Sequence, residues 1–147
     1  MSHAYVRNHV HVVFSTDQCR KCIQGEMRDR LWSCISGIAN EYGVQVTAIG
    51  GTEDHVHIVV ALPPKIGLAV LLRAIKAGSS KWMNEEGHLF AWQTGYGAFS
   101  VSASNLDRVC DYVRRQEEHH REASFADEFS LLLKKHGIAS TTKSIGK

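Results

Sequence analysis

Proline is nearly missing from this chain of 147 residues; its two copies stand together at Pro63-Pro64. Proline interrupts helices and inner strands, so regular structure is forced to stop at only this one place. Long apolar runs are also absent. None approaches the ~20 residues that a membrane-spanning helix needs. A secretory leader is not expected either, because His3, Arg7, His9 and His11 interrupt the N-terminal apolar residues. A cytoplasmic location is the resulting expectation. Charge of one sign is scarce: 17 Lys and Arg stand against 15 Asp and Glu, a net +2. This excludes a strongly basic nucleic-acid tail and leaves any such binding to local clusters. Cysteine pairs are few. Cys19 and Cys22 form one C-x-x-C, with Cys34 and Cys110 elsewhere and no second pair to complete a zinc site. Four ordinary reduced thiols are expected. There is no internal repeat and no linker. At 44% hydrophobic the chain can build one real core, expected over residues 1–136 with a flexible tail at 137–147.

What is present alternates. Residues 5–14 place Val10, Val12 and Phe14 on one side and His9, His11 and Val13 on the other, which predicts a strand. Residues 25–42 carry Met27, Leu31, Cys34, Ile35 and Ile38 at helical spacing and stop at Gly43. A second strand is predicted at 44–49, a turn at Gly50-Gly51, and a third strand over the His55-Val56-His57 run. Residues 67–84 predict a second helix. A loop from Trp92 leads into a fourth strand ending at Ser102. Helices at 106–120, with Asn105 as N-cap, and at 125–135, capped by Ser124, complete the chain. The order is βαββαβ plus two C-terminal helices, an α+β ferredoxin-like (RRM-like) antiparallel sheet. The first two helices are expected on the face formed by Val10/Val12/Phe14, Val44/Val46/Ala48 and Val56/Ile58/Val60. The other face then carries His9, His11, Gln45, Thr47, His55 and His57, with the third helix free to cover it.

The chemistry lies on that second face. Side chains alternate along a strand, so His55 and His57 point the same way, and two adjacent imidazoles can hold one divalent metal. The same pattern also occurs as a half-exposed strand with incidental histidines. On the third helix the apolar stripe is Leu106, Val109, Cys110 and Val113, and Tyr112 lies roughly 120° from its centre at about 100° per residue. Gln116 is one turn beyond it, within ~5–6 Å between Cβ atoms. His119 and His120 share that helix and rival Gln116 as ligands, while Asp54 could orient a ligand histidine.

His11-Val12-Val13-Phe14, Asp54-His55-Val56-His57, Ile75-Lys76-x-x-Ser79-Ser80-Lys81-Trp82 and Tyr112-x-x-x-Gln116, in this order, resemble the small single-tyrosine transposases of bacterial insertion sequences. These IS200-like proteins belong to the His-hydrophobic-His class of single-strand nucleases, and the resemblance covers nearly the whole chain. It implies a metal-dependent endonuclease and strand transferase that cuts and rejoins single-stranded DNA through a covalent 5′-phosphotyrosine. It implies Tyr112 as nucleophile, Mg²⁺ or Mn²⁺ on His55, His57 and Gln116, and hairpins near transposon ends as the DNA. It also implies a homodimer whose sites are shared between subunits. Arg73, Lys76, Lys81, Arg108 and Arg115 are the candidate phosphate contacts. The family often has Lys or Arg soon after the first strand, where this chain has Asp17 and Gln18. A domesticated or non-catalytic hairpin-binding protein on the same fold is the alternative. An RRM-like RNA binder is disfavoured, because that needs aromatic residues on the open sheet face.

Overall fold

The structure, a computed structural model of the chain, describes residues 4–120 and 123–139. Strands β1 (His9–Ser15), β2 (Gln45–Gly51), β3 (His55–Ala61) and β4 (Gly97–Val101) form one antiparallel sheet in the order β2-β3-β1-β4. Helices α1 (Gly25–Glu41) and α2 (Leu68–Glu85) make the two crossovers, so the βαββαβ order holds. β1 begins at His9 and not at residue 5, because both neighbours run out there: His9 pairs with Ala61 on one side and Val101 on the other. Gly43, at φ +73°, ends α1 in the left-handed conformation that glycine adopts without strain.

Val10, Val12, Phe14, Val56, Ile58 and Val60 pack against Leu31 and Ile35 of α1 and Leu71, Leu72 and Ile75 of α2. Burial of each such side chain contributes about 1.5–3 kcal/mol. Val44 and Val46 join this face, but Ala48 does not. The β2–β3 register shifts between Val46 and Ala48, so a bulge at Thr47 moves Ala48 to the opposite face and brings Ile49 to this one. Gly50 and Gly51 are not a turn; they are the last residues of β2, paired with His57 and Val56. A Cβ on Gly50 would lie 2.0 Å from the Val113 carbonyl oxygen, so glycine is there to let a helix come down on the strand.

That helix is α3 (Leu106–Arg114). It packs Leu106, Cys110 and Val113 on Ala48 and Val59. A 3-10 turn at Ala103–Asn105 leads into it, and the Asn105 side chain makes no cap hydrogen bond. The helix expected over 106–120 breaks at Arg115 (φ −100°, ψ 26°), and α4 (Gln116–His119) starts afresh. The Tyr112 carbonyl at the break accepts from Arg115 N–H at 3.2 Å and from Gln116 Nε2 at 3.3 Å. α5 (Phe125–Lys135) is capped as expected: Ser124 Oγ accepts from Asp127 N–H at 3.2 Å. Phe125, Phe129 and Leu133 seal it onto Val13 of β1 and Phe99 of β4. The histidine face is therefore roofed by two elements, α3 over β2 and β3 and α5 over β1 and β4. Of the expected tail, residues 140–147 lie outside the described residues. Among the described residues, no helix is long and apolar enough to cross a membrane.

Candidate active site

The bulge and the helix break determine what reaches the histidine pair. His55 and His57 are fully buried and project from β3 under the roof. From the broken helix, Gln116 Oε1 comes to 3.0 Å from His55 Nε2. From α5, Glu128 Oε1 lies 3.0 Å from His57 Nε2, 3.4 Å from His55 Nε2 and 2.8 Å from His120 Nε2. The Tyr112 hydroxyl donates to the other carboxylate oxygen, Glu128 Oε2, and its ring stands edge-on to His57 with centroids 5.6 Å apart.

The outer ring nitrogens are held as firmly. His55 Nδ1 lies 2.8 Å from Asp54 Oδ1 and 3.0 Å from Thr52 Oγ1. Asp54 can do this because it belongs to the turn before β3, where the alternation of a strand does not apply. His57 Nδ1 shares a 2.8 Å hydrogen bond with Nε2 of buried His11, and His120 Nδ1 lies 2.5 Å from the Ala123 carbonyl oxygen. His55, His57 and His120 thus keep Nε2 for the centre, the usual support for a metal-ligating imidazole.

Electrostatics divide the cluster. Burial pushes His57 down to about 4 and His11 down to about 3, the neighbouring rings adding to it. His55 is buried as well, yet hydrogen bonds to Asp54, Glu128 and Gln116 outweigh the loss of water and lift it to about 9. Glu128 is held far below the usual carboxylate range, because hydrogen bonds from His120, His55 and His57 overcome the effect of burial. The Tyr112 phenol goes the other way, raised by burial and by the adjacent Glu128 charge.

One donor atom each from His55, His57, His120 and Glu128 lies within 4.8 Å of all the others. Three imidazole nitrogens and a carboxylate oxygen suit a divalent ion, with Gln116 Oε1 beside them as a further oxygen. His55, His57, Gln116 and Tyr112, the four residues expected from the sequence, lie together in the structure. Of the two rival histidines, His120 enters the cluster. His119 stays at the rim, 3.7 Å from Glu128 Oε2. Glu128 was missed. Its signal was a carboxylate inside an apolar stripe, Phe125-x-x-Glu128-Phe129-x-x-x-Leu133, where a charge is costly unless paired.

The basic residues are more scattered. Arg73 and Lys81 are exposed on α2, in the layer behind the sheet from the histidines. Lys76 donates to the Gly95 carbonyl at 2.6 Å and lies 5.2 Å from the Phe14 ring centroid, a packing role. Arg108 is exposed on α3, and Arg115 pairs with Asp111 at 3.2 Å. Trp92 is tied into the core by its bond to Ser79 at 2.9 Å and by edge contacts with Phe14 and Phe90.

A ferredoxin-like sheet whose buried histidine pair is met by a tyrosine-bearing helix is a fold that solved structures share. The fold matches a putative transposase from Deinococcus radiodurans (TM-score 0.63, 20% identity, 77% of this chain and 94% of that one). It also matches a REP-associated tyrosine transposase solved with a REP hairpin (TM-score 0.59, 14% identity, 97% of this chain and 76% of that one). The family model described as "Transposase IS200 like" matches residues 4–116, and the chain belongs to that family. Curated relatives include the transposase for insertion sequence element IS200 of Salmonella typhimurium, 25% identical over 76% of this chain and 78% of that one. The ISDra2 transposase TnpA of Deinococcus radiodurans is 23% identical over 74% and 83%. The chain is a transposase, an enzyme that cuts and transfers DNA strands. His120 and Glu128 lie beyond the residues that the family model covers.

Proposed function

We propose that this transposase cleaves and rejoins single-stranded DNA at hairpin-bearing element ends through a covalent bond between Tyr112 and the 5′-phosphate. The observation that carries this reading is the convergence of Tyr112, Gln116, His120 and Glu128 on the buried His55–His57 pair. In the reaction Tyr112 Oη bonds to phosphorus as its proton passes to water, the P–O3′ bond breaks, and the 3′ oxygen leaves as a hydroxyl after taking a proton from water. Glu128 Oε2, acceptor of the Tyr112 hydroxyl, orients the nucleophile. The broken bond's energy is kept in the phosphotyrosine, so a 3′-hydroxyl can reverse the step and join strands without ATP.

His55, His57, His120 and Glu128 would hold Mg²⁺ or Mn²⁺, with Gln116 adjoining. When bound, the ion supplies positive charge at the scissile phosphate. His11 and Asp54 hold the ligand rings in place. The exposed arginines Arg73, Arg108 and Arg115, with Lys81, are the candidate phosphate contacts, and Lys76 is the weakest of the set. A REP hairpin in the related structure supports hairpin DNA as substrate.

The test is a covalent adduct. The protein is incubated with end-labelled, hairpin-bearing single strands and Mg²⁺ or Mn²⁺, then separated under denaturing conditions. A labelled protein band is expected for the native chain, and none for Tyr112→Phe. An adduct that persists in Tyr112→Phe overturns the nucleophile assignment. Binding without cleavage under every divalent ion favours the non-catalytic hairpin-binding reading.

A further inference from the structure

Behind α4, on the side away from the histidines, lies a cleft of about 470 Å³. Half-buried Trp32 and Arg28 line it from α1, Gly50 from the end of β2, and Arg114 and Glu118 from the helix break. It adjoins the reactive centre through two elements. Gly50 pairs with His57 across a strand spacing of about 4.8 Å. Gln116 reaches into the site, while Arg115 and Glu117 on either side of it line the cleft. The cleft thus lies one strand spacing from His57 and beside the residue that reaches His55.

The chemistry of the walls points to a base more than to a phosphate. Three arginines are balanced by three carboxylates, Asp29, Glu117 and Glu118, whereas a phosphate site would be basic throughout. Trp32 offers an indole of the kind on which unpaired bases stack. Its edge leans on Gly51, where an added Cβ would meet it at 3.0 Å, so the ring is held in place. Arg28 is committed to Glu117 and to the Ile23 carbonyl, yet its Nε is buried and, among the described residues, has no hydrogen-bond partner. Carboxylates at the rim accept from an exocyclic amino group, and guanidinium nitrogens donate to ring or carbonyl acceptors.

We propose that this cleft holds one unpaired base of the DNA strand next to the scissile phosphate, stacked on Trp32, and prefers an amino-bearing base such as cytosine over thymine. The proposal rests on the single-strand cleavage reading. It makes Trp32 and the Asp29/Glu118 pair specificity residues separate from the reacting groups.

Binding is measured by fluorescence anisotropy with labelled (dC)8 and (dT)8 in EDTA, where cleavage does not contribute. The native chain is expected to bind (dC)8 more tightly. Trp32→Leu should weaken both by about five- to a hundredfold, with Trp32→Phe recovering most of the loss. Asp29→Asn with Glu118→Gln should erase the preference for (dC)8. For a readout independent of folding, the native chain is photocrosslinked to an oligomer carrying 5-iododeoxycytidine, and the adduct should map to Trp32. Unchanged affinity in folded Trp32→Leu, or a crosslink confined to aromatic residues outside the cleft, overturns the proposal. A Tyr112 adduct with no effect at Trp32 removes the cleft alone. Trp32-dependent binding with no adduct removes the cleavage reading and leaves the cleft as a single-strand binding site.

Discussion

At the residue scale, the centre is three imidazoles and a carboxylate, with His11 behind His57. His11 and His57 sit at about 3 and about 4, below the ordinary 6.5, so the unfolded chain takes up protons that the fold refuses. These two groups remove stability as pH falls from 6.5 towards 4, each at about 1.4 kcal/mol per pH unit. Glu128, depressed from 4.5, adds stability above that pH and loses it below. His55, raised to about 9, stabilises fully below 6.5 and loses its contribution as pH rises to about 9. The metal-free protein should therefore melt highest near pH 6.5 and fall off on both sides, as thermal melts in EDTA would record. His11→Gln should flatten the acid limb by about one group's slope while keeping an amide N–H to donate to His57 Nδ1. His11→Leu should instead lower metal affinity by about 10–100-fold, measured calorimetrically. An unaltered acid limb in His11→Gln would contradict the assignment. The histidine pair and the Tyr-Gln spacing were legible in the sequence because periods of two and about four place side chains within one element. Glu128 was not, since its partners are on other elements.

At the element scale, the junction of β2 with α3 positions the tyrosine. Gly50 admits the Val113 carbonyl, and the bulge at Thr47 sets which residues meet the helix. Gly50→Ala must push α3 outward, because the obstruction is backbone and cannot rotate away. A loss of about 1–3 kcal/mol is expected in denaturant unfolding. Adduct formation should fall further than stability does, since Tyr112 and Gln116 ride on that helix. Equal stability and activity in the variant would mean that the close approach is not needed. The sequence placed every strand and helix of the βαββαβ unit, because alternation and helical spacing are local. It did not reveal the bulge, the extended β2 or the break at Arg115. Each of these is imposed by a neighbour: α3 on β2, and the site itself on Gln116.

At the scale of the whole molecule, the chain builds its site from its own residues, with α3 lying over its own sheet. The resemblance implies a second copy and shared sites, and β4 leaves one sheet edge open for pairing. Mixing inactive Tyr112→Phe with inactive His57→Ala distinguishes the two arrangements. Recovery of cleavage on subunit exchange is expected if tyrosine helices cross between copies. No recovery, with each protein dimeric by light scattering, means that every copy uses its own helix.

The sequence by itself determined the fold class, the face on which the histidines lie, and the tyrosine and glutamine one turn apart, because each follows from the period of one element. Only the tertiary structure decided that α5 would close the site. Its Phe125, Phe129 and Leu133 seal onto Val13 and Phe99, and that packing carries Glu128 to the histidines. A helix's docking position depends on the fit of two surfaces distant in the chain, and no local period records it.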